Sequence, residues 1–167
     1  NFEKGVLCND PLPGLTGAVV ADFNGDGRAD MLACSEGLPP ALFAGDVQGR
    51  FSSPPKKAAS IPPTKTSYAI AAGDVDADGD LDVYLTQYKF AYELGHMPTP
   101  FYDANDGDPA YLLLNDGRGA FVDATAQVGL ASKRRRRTYS ASFADLDADH
   151  DLDLVVVSDF AGLDYYL

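Results

Sequence analysis

Aspartate recurs at every second position in three separate stretches of this chain. Residues 22–30 read DFNGDGRAD, residues 74–82 DVDADGDLD and residues 145–153 DLDADHDLD, and all three fit D-x-[DN]-x-D-x-x-x-D. Carboxylates packed this densely repel one another, and Asp favours neither strand nor helix. A solvated acidic loop has no reason to keep one spacing three times. The repetition points to a shared demand, a positive charge at the centre of each loop.

The repeat extends beyond the loops. Each follows a short run of strand character (TGAVVA, SYAIAAG, YSASFA) and precedes a stronger one (MLACS, VYLTQ, LVVVS). LFAGDVQGRF (42–51) aligns without gaps on LLLNDGRGAF (112–121), and both read as a β-hairpin whose second strand opens with Phe. Asp30 to Leu42 is 12 residues whereas Asp82 to Leu112 is 30, so the second copy carries 18 extra residues there. Without them the period is close to 52, the separation of Asp22 and Asp74. YYL (165–167) falls where LFA and LLL fall, and FEKGVL near the start reads as the last strand of a preceding copy. Four short strands repeating every ~40 to 50 residues are the signature of a propeller blade.

The expected fold is therefore all-β, about three four-stranded β-propeller blades. The repeats are placed at residues 10–51, 62–121 with an insertion at about 88–108, and 138–167. A closed ring needs at least ~4 blades. The chain thus reads as a segment of a roughly 6–8-bladed propeller, completed by further chain or by another copy.

Composition narrows the function. With 46% apolar residues in 167, the chain carries enough for a core. A formal charge of −12 argues against a nucleic-acid partner and is what cation-holding loops would give. No apolar run approaches the ~20 residues that cross a bilayer. Asn1 opens no leader-like sequence, so any such segment is expected to be removed or absent. Cys8 and Cys34 are read either as one disulfide or as two buried thiols.

Alternating carboxylates on a coiled loop can all point inward, and a hard divalent ion takes oxygen ligands, ~6 to 8 of them for Ca²⁺. The seventh position, Arg28, Asp80 or Asp151, would offer its backbone carbonyl, which leaves the side chain free to vary. Gly27 and Gly79 sit where a sharp turn needs positive φ. An EF-hand is excluded, because position 12 is Ala33, Leu85 or Val156 instead of Glu, and strands flank the loops. Zinc is disfavoured by the lack of Cys and the single His in the loops, and Mg²⁺ by its stricter geometry.

These loops, with YLLLNDGRGAFVDATAQVGL after the second, resemble FG-GAP/VCBS repeats, the calcium-binding blades of integrin-α-type propellers. The phrasing is similar to the secreted and bacterial branch that includes cartilage acidic protein. The resemblance covers nearly the whole chain. It implies up to three Ca²⁺ ions, with Mg²⁺ second. The implied ligands are Asp22, Asn24, Asp26, Arg28 and Asp30; Asp74, Asp76, Asp78, Asp80 and Asp82; and Asp145, Asp147, Asp149, Asp151 and Asp153. Three ions would bring the formal charge from −12 to −6. Asn24 is a neutral ligand expected to weaken the first site, and His150 replaces the usual glycine of the third. The implied role is a secreted, extracellular or cell-surface (in a bacterium, periplasmic) adhesion module that binds a protein or glycan through its blade loops.

Two segments leave the repeat. In the insertion, Tyr88, Tyr92, His96, Phe101 and Tyr102 would line a partner or sugar site, or the loop simply packs over a neighbouring blade. DANDGD (103–108) reads as a turn. KRRRR (133–137) is a convertase cleavage site, a patch for acidic partners, or a solvated inter-blade loop. No catalytic motif appears, and His96 lacks a visible orienting partner. The competing reading is the propeller of a secreted lyase or hydrolase, with its site in residues 88–108 or outside this chain. A deep pocket around His96 would favour that enzyme, and an exposed insertion would favour a binding module.

Overall fold

The computed structural model describes residues 13–52, 54–92 and 97–167. Cys8, FEKGVL and His96 lie outside the described residues. The described chain is all-β, in three antiparallel sheets that form successive propeller blades. Blade 1 holds β1 (Leu15–Ala21), β2 (Asp30–Ser35), β3 (Ala41–Phe43) and β4 (Lys56–Lys57) in sequential order. Blade 2 repeats that order with β5 (Ile70–Gly73), β6 (Asp82–Leu85), β7 (Tyr111–Asn115) and β8 (Phe121–Asp123). Blade 3 holds β9 (Arg137–Ala144), β10 (Asp153–Asp159) and β11 (Gly162–Tyr166). Its only helical element among the described residues is a 3₁₀ turn at Leu130–Ser132.

The register repeats as well. Met31 pairs with Phe43, Val83 with Leu113 and Leu154 with Tyr166, each one residue beyond the closing aspartate of its loop. β1 lies beside β5 and β5 beside β9, so the first strands neighbour one another as the inner strands of a propeller do.

The core lies between the blades. Side chains on a strand alternate between its two faces. Val83, Leu85 and Leu113 accordingly point towards blade 1, where they and Phe121 of their own blade meet Phe23, Leu32 and Leu42. Tyr84 and Leu112 point the other way and join Leu130, Leu154 and Val156 against blade 3. A blade covered on both faces needs a continuous apolar run, which is why β6 reads VYL without polar alternation.

The fourth strand of blade 1 departs from the hairpin reading. Phe51 forms only an isolated bridge to Gly45, and pairing resumes at Lys56–Lys57 against Ala41 and Leu42. Pro54 and Pro55 intervene and have no N–H to give a ladder. In blade 2 no proline follows Phe121 directly, and β8 starts at that residue. No described helix is long and apolar enough to cross a membrane.

Candidate metal centre

Each acidic loop joins the first two strands of its blade, and each is wound by one backbone circuit. The first aspartate is the hub. Asp22 accepts the amides of Gly25 (2.9 Å), Asp26 (3.2 Å) and Gly27 (2.8 Å). Asp74 accepts those of Asp78 and Gly79, and Asp145 those of Ala148 and His150. The fifth residue accepts the amide of the seventh in all three: Asp26 from Arg28, Asp78 from Asp80, Asp149 from Asp151.

The coil needs left-handed backbone at two points. The sixth residue has φ of +79° at Gly27, +93° at Gly79 and +79° at His150. The fourth does so too, at Gly25 (+72°), Ala77 (+59°) and Ala148 (+65°). An L-residue in this region costs about 1–2 kcal/mol. Loop 3 carries that cost twice, at Ala148 and His150, and its backbone still follows the same path. The fourth-position requirement is invisible in the sequence, since alanine there signals nothing.

Two of the loops gather their carboxylates. One oxygen each from Asp74, Asp76 and Asp78 lie within 4.8 Å of one another, and so do those of Asp145, Asp147 and Asp149. Asp80 stands beside the first group with its Oδ1 buried and unpartnered. Desolvation first, then the charges of Asp78, Asp76, Asp74 and Asp116, push the Asp80 carboxyl above its usual range. Asp116 comes from the β7–β8 turn and was not anticipated as a neighbour of loop 2. Desolvation followed by the Asp149 charge likewise raises Asp147.

These donors fit a hard divalent cation. All are oxygens, and no Lys or Arg pairs with the carboxylates of loops 2 and 3 among the described residues. The one imidazole nearby is His150, at 3.9 Å from Asp145, and in loop 2 a buried acceptor lacks a partner. An ion held there would supply the positive charge that removes the repulsion. Loop 1 differs. Asn24 replaces one carboxylate and donates through Nδ2 to Asp30 Oδ1 (3.1 Å). The Arg28 guanidinium pairs with Asp26 Oδ2, while its Nε donates to the Gly45 carbonyl (3.0 Å).

The closing aspartates take a separate place, buried beneath the loops. One oxygen of each accepts the amide of its loop's second residue: Asp30 from Phe23 (3.1 Å), Asp82 from Val75 (3.0 Å) and Asp153 from Leu146 (2.6 Å). The other oxygen of Asp30 accepts from Gly45 (2.8 Å), and that of Asp82 from Asn115 (2.9 Å). Each closing carboxylate thus pins its loop to the blade. Asp151 is exposed.

The insertion and the basic run prove to be one assembly. Asp103 and Asp106 of DANDGD are counter-ions. Arg137, 1% exposed, grips both oxygens of Asp106 at 3.0 Å and donates to the Lys89 carbonyl at 3.1 Å. Buried Arg136 pairs with Asp103 and Asp164. Asn105 bridges Ser132 and Arg135, and the amides of Gly107 and Ala110 donate to the Arg135 and Arg134 carbonyls. Arg134 pairs with Asp123 and lies 4.7 Å over the Tyr111 ring. The solvated-loop and anionic-patch readings therefore fail at Arg136 and Arg137, whose charges are internally compensated. A run of like charge shows nothing in sequence of partners some 30 residues upstream. Tyr92, Phe101 and Tyr102 are exposed. Cys34 is buried, and burial pushes its thiol up to about 12.

The geometry has a counterpart among known families. Residues 22–85 match the FG-GAP-like repeat. That span holds loops 1 and 2 with the strands between them. No curated protein matches the sequence. Among solved structures the chain is similar to an Agrocybe aegerita lectin, described for its specific recognition of non-reducing terminal N-acetylglucosamine, at 14% identity and a TM-score of 0.37. The likeness covers 90% of this chain and 52% of that one, so the chain spans about half of that length.

Proposed function

We propose that this chain is a calcium-stabilised FG-GAP/VCBS propeller segment that serves as a secreted or cell-surface interaction module. The observation that carries the proposal is the uncompensated clustering of carboxylates in loops 2 and 3 on one shared backbone circuit. A fold that concentrates like charge at each blade is costly unless a cation joins it, and binding energy then becomes folding energy. Loops 2 and 3 hold the ion through Asp74, Asp76, Asp78 and Asp80 and through Asp145, Asp147 and Asp149. Loop 1 is the weaker site because of Asn24 and the Arg28–Asp26 pair. The closing aspartates and the seventh-position residues complete the proposed ligand set in each loop. The exposure of Tyr92, Phe101 and Tyr102 on the insertion supports the binding-module reading. The partner is a protein or a glycan, met on the surface away from the acidic loops.

Thermal unfolding in excess EDTA, then across calcium and magnesium titrations, tests the proposal. A calcium-specific rise in Tm with a midpoint near ~10⁻⁴ to 10⁻³ M would fit an extracellular module. Identical melts in EDTA, calcium and magnesium would sink it.

A further inference from the structure

A second cluster lies at the opposite end of the strands. Tyr68 precedes β5 and Tyr139 sits early in β9, each six residues before the first aspartate of its loop. Their rings are 6.2 Å apart and within 12° of parallel. Tyr88, at the head of the insertion, stacks on both, at 5.2 Å from Tyr68 and 4.7 Å from Tyr139. Phe90 stands edge-on to Tyr68 and Tyr88. Tyr88 is buried, whereas Tyr68, Phe90 and Tyr139 are 42%, 55% and 44% exposed.

The cluster has one polar anchor. Asp159, at the end of β10, accepts the Tyr88 hydroxyl at 2.8 Å and the Tyr139 hydroxyl at 3.3 Å, both through Oδ2. No hydrogen bond to its other oxygen occurs among the described residues. The head of the insertion is tied to blade 3, because Arg137 donates to the carbonyl of Lys89, the residue between Tyr88 and Phe90.

We propose that this face, formed by Tyr68, Phe90 and Tyr139 around Asp159, is a binding site for a neutral saccharide. An exposed aromatic face offers the apolar C–H side of a sugar ring a large contact of low conformational cost. A carboxylate beside it accepts hydroxyl hydrogens in charge-assisted bonds. The charge balance selects a neutral occupant over a cation. Arg137 and Lys89 sit among the acids Asp106 and Asp159, and Lys89 Nζ donates to the Asp106 carbonyl at 3.2 Å. Asp159 is in no ion pair among the described residues, but Arg137 acts on it as well as on Asp106. Lys89, Arg137, Asp106 and Asp159 thus sum to no net charge, and an ammonium or guanidinium ligand would gain little there. This inference rests on the interaction-module reading and names the ligand class.

The test is glycan-array screening of the calcium-loaded chain on neutral, sialylated and sulfated glycans, then titration of the best neutral glycan followed by tyrosine fluorescence. The chain contains no Trp, so the emission comes from its nine tyrosines, and the change lost in Tyr139→Ala is the part that reports on the cluster. Tyr139→Ala and Asp159→Asn should each weaken binding about tenfold or more, with the calcium-dependent Tm shift retained. Tyr165→Ala, on exposed β11, should bind as the parent does. Absence of any neutral-glycan binding, parental affinity in both site variants, or competition by tetramethylammonium or arginine would overturn the assignment. If the calcium shift survives in that case, only the ligand class falls. If no calcium shift is seen even in the parent, the underlying module reading fails instead.

Discussion

Replacing Asp82 by Asn separates the two jobs that carboxylates perform in loop 2. Asp82 is 1% exposed, with Oδ2 accepting Val75 N–H at 3.0 Å and Oδ1 accepting Asn115 N–H at 2.9 Å. An amide keeps one acceptor and turns an N–H₂ towards the other backbone N–H. One bond to a charged acceptor is lost, worth about 1.5–3 kcal/mol, and the second weakens to a neutral bond near ~1 kcal/mol. Relief offsets part of this. Burial, then the charges of Asp76 and Asp80, already raise the Asp82 carboxyl against the pull of its two amides. The net cost expected is about 2 kcal/mol. For a chain of this size that lowers Tm by roughly 4–8 °C. The loss should appear already in EDTA, because the pinning bonds to Val75 and Asn115 need no ion. Asp76→Asn is the counter-experiment. Asp76 is exposed and only crowds its neighbours, so the variant should match or exceed the parent in EDTA and lose much of its calcium response. Urea unfolding of the parent and both variants, in EDTA and in calcium, reads all six stabilities. The reasoning is refuted if Asp82→Asn is silent in EDTA, or if Asp76→Asn destabilises the metal-free protein as much as Asp82→Asn does.

Three further outcomes follow from the same structure. Arg137→Ala removes one partner of a buried pair and should cost about 3 kcal/mol by urea unfolding, with faster proteolysis inside residues 88–108 as the second readout. Gly45→Ala would set its Cβ 2.0 Å from the Ala29 carbonyl oxygen, so it should destabilise by at least ~2 kcal/mol in a thermal melt. In EDTA, the raised Asp80 carboxyl should make stability fall as pH rises. A carboxyl that binds its proton more tightly folded than unfolded contributes fully below its unfolded value, and the contribution is lost as pH rises through the folded one. Melts from pH 4 to pH 8 should show that slope, and Asp80→Asn should flatten it.

The acidic loops, the blade period and the strands were legible because each is encoded locally. The loop spacing fixes a backbone circuit, and runs such as LVVVS carry their own strand preference. What escaped was non-local. Nothing in KRRRR indicates that Arg136 and Arg137 are buried on Asp103 and Asp106, although the run leads directly into β9. Phe51 looks like Phe121 in the alignment, yet Pro54 and Pro55 move the ladder to Lys56–Lys57. The closing aspartates share the loop pattern, but burial gives them a pinning role that spacing alone does not show. The tyrosine cluster left one signal unread: Tyr68 and Tyr139 hold the same position in their repeats, while blade 1 has Thr16 there.

Calorimetric titration of calcium into the EDTA-stripped chain tests the central claim most directly. The account predicts saturable, calcium-specific heat, with Asp76→Asn and Asp147→Asn each removing one ion from the stoichiometry. No heat with calcium, or a stoichiometry untouched by both substitutions, would contradict it.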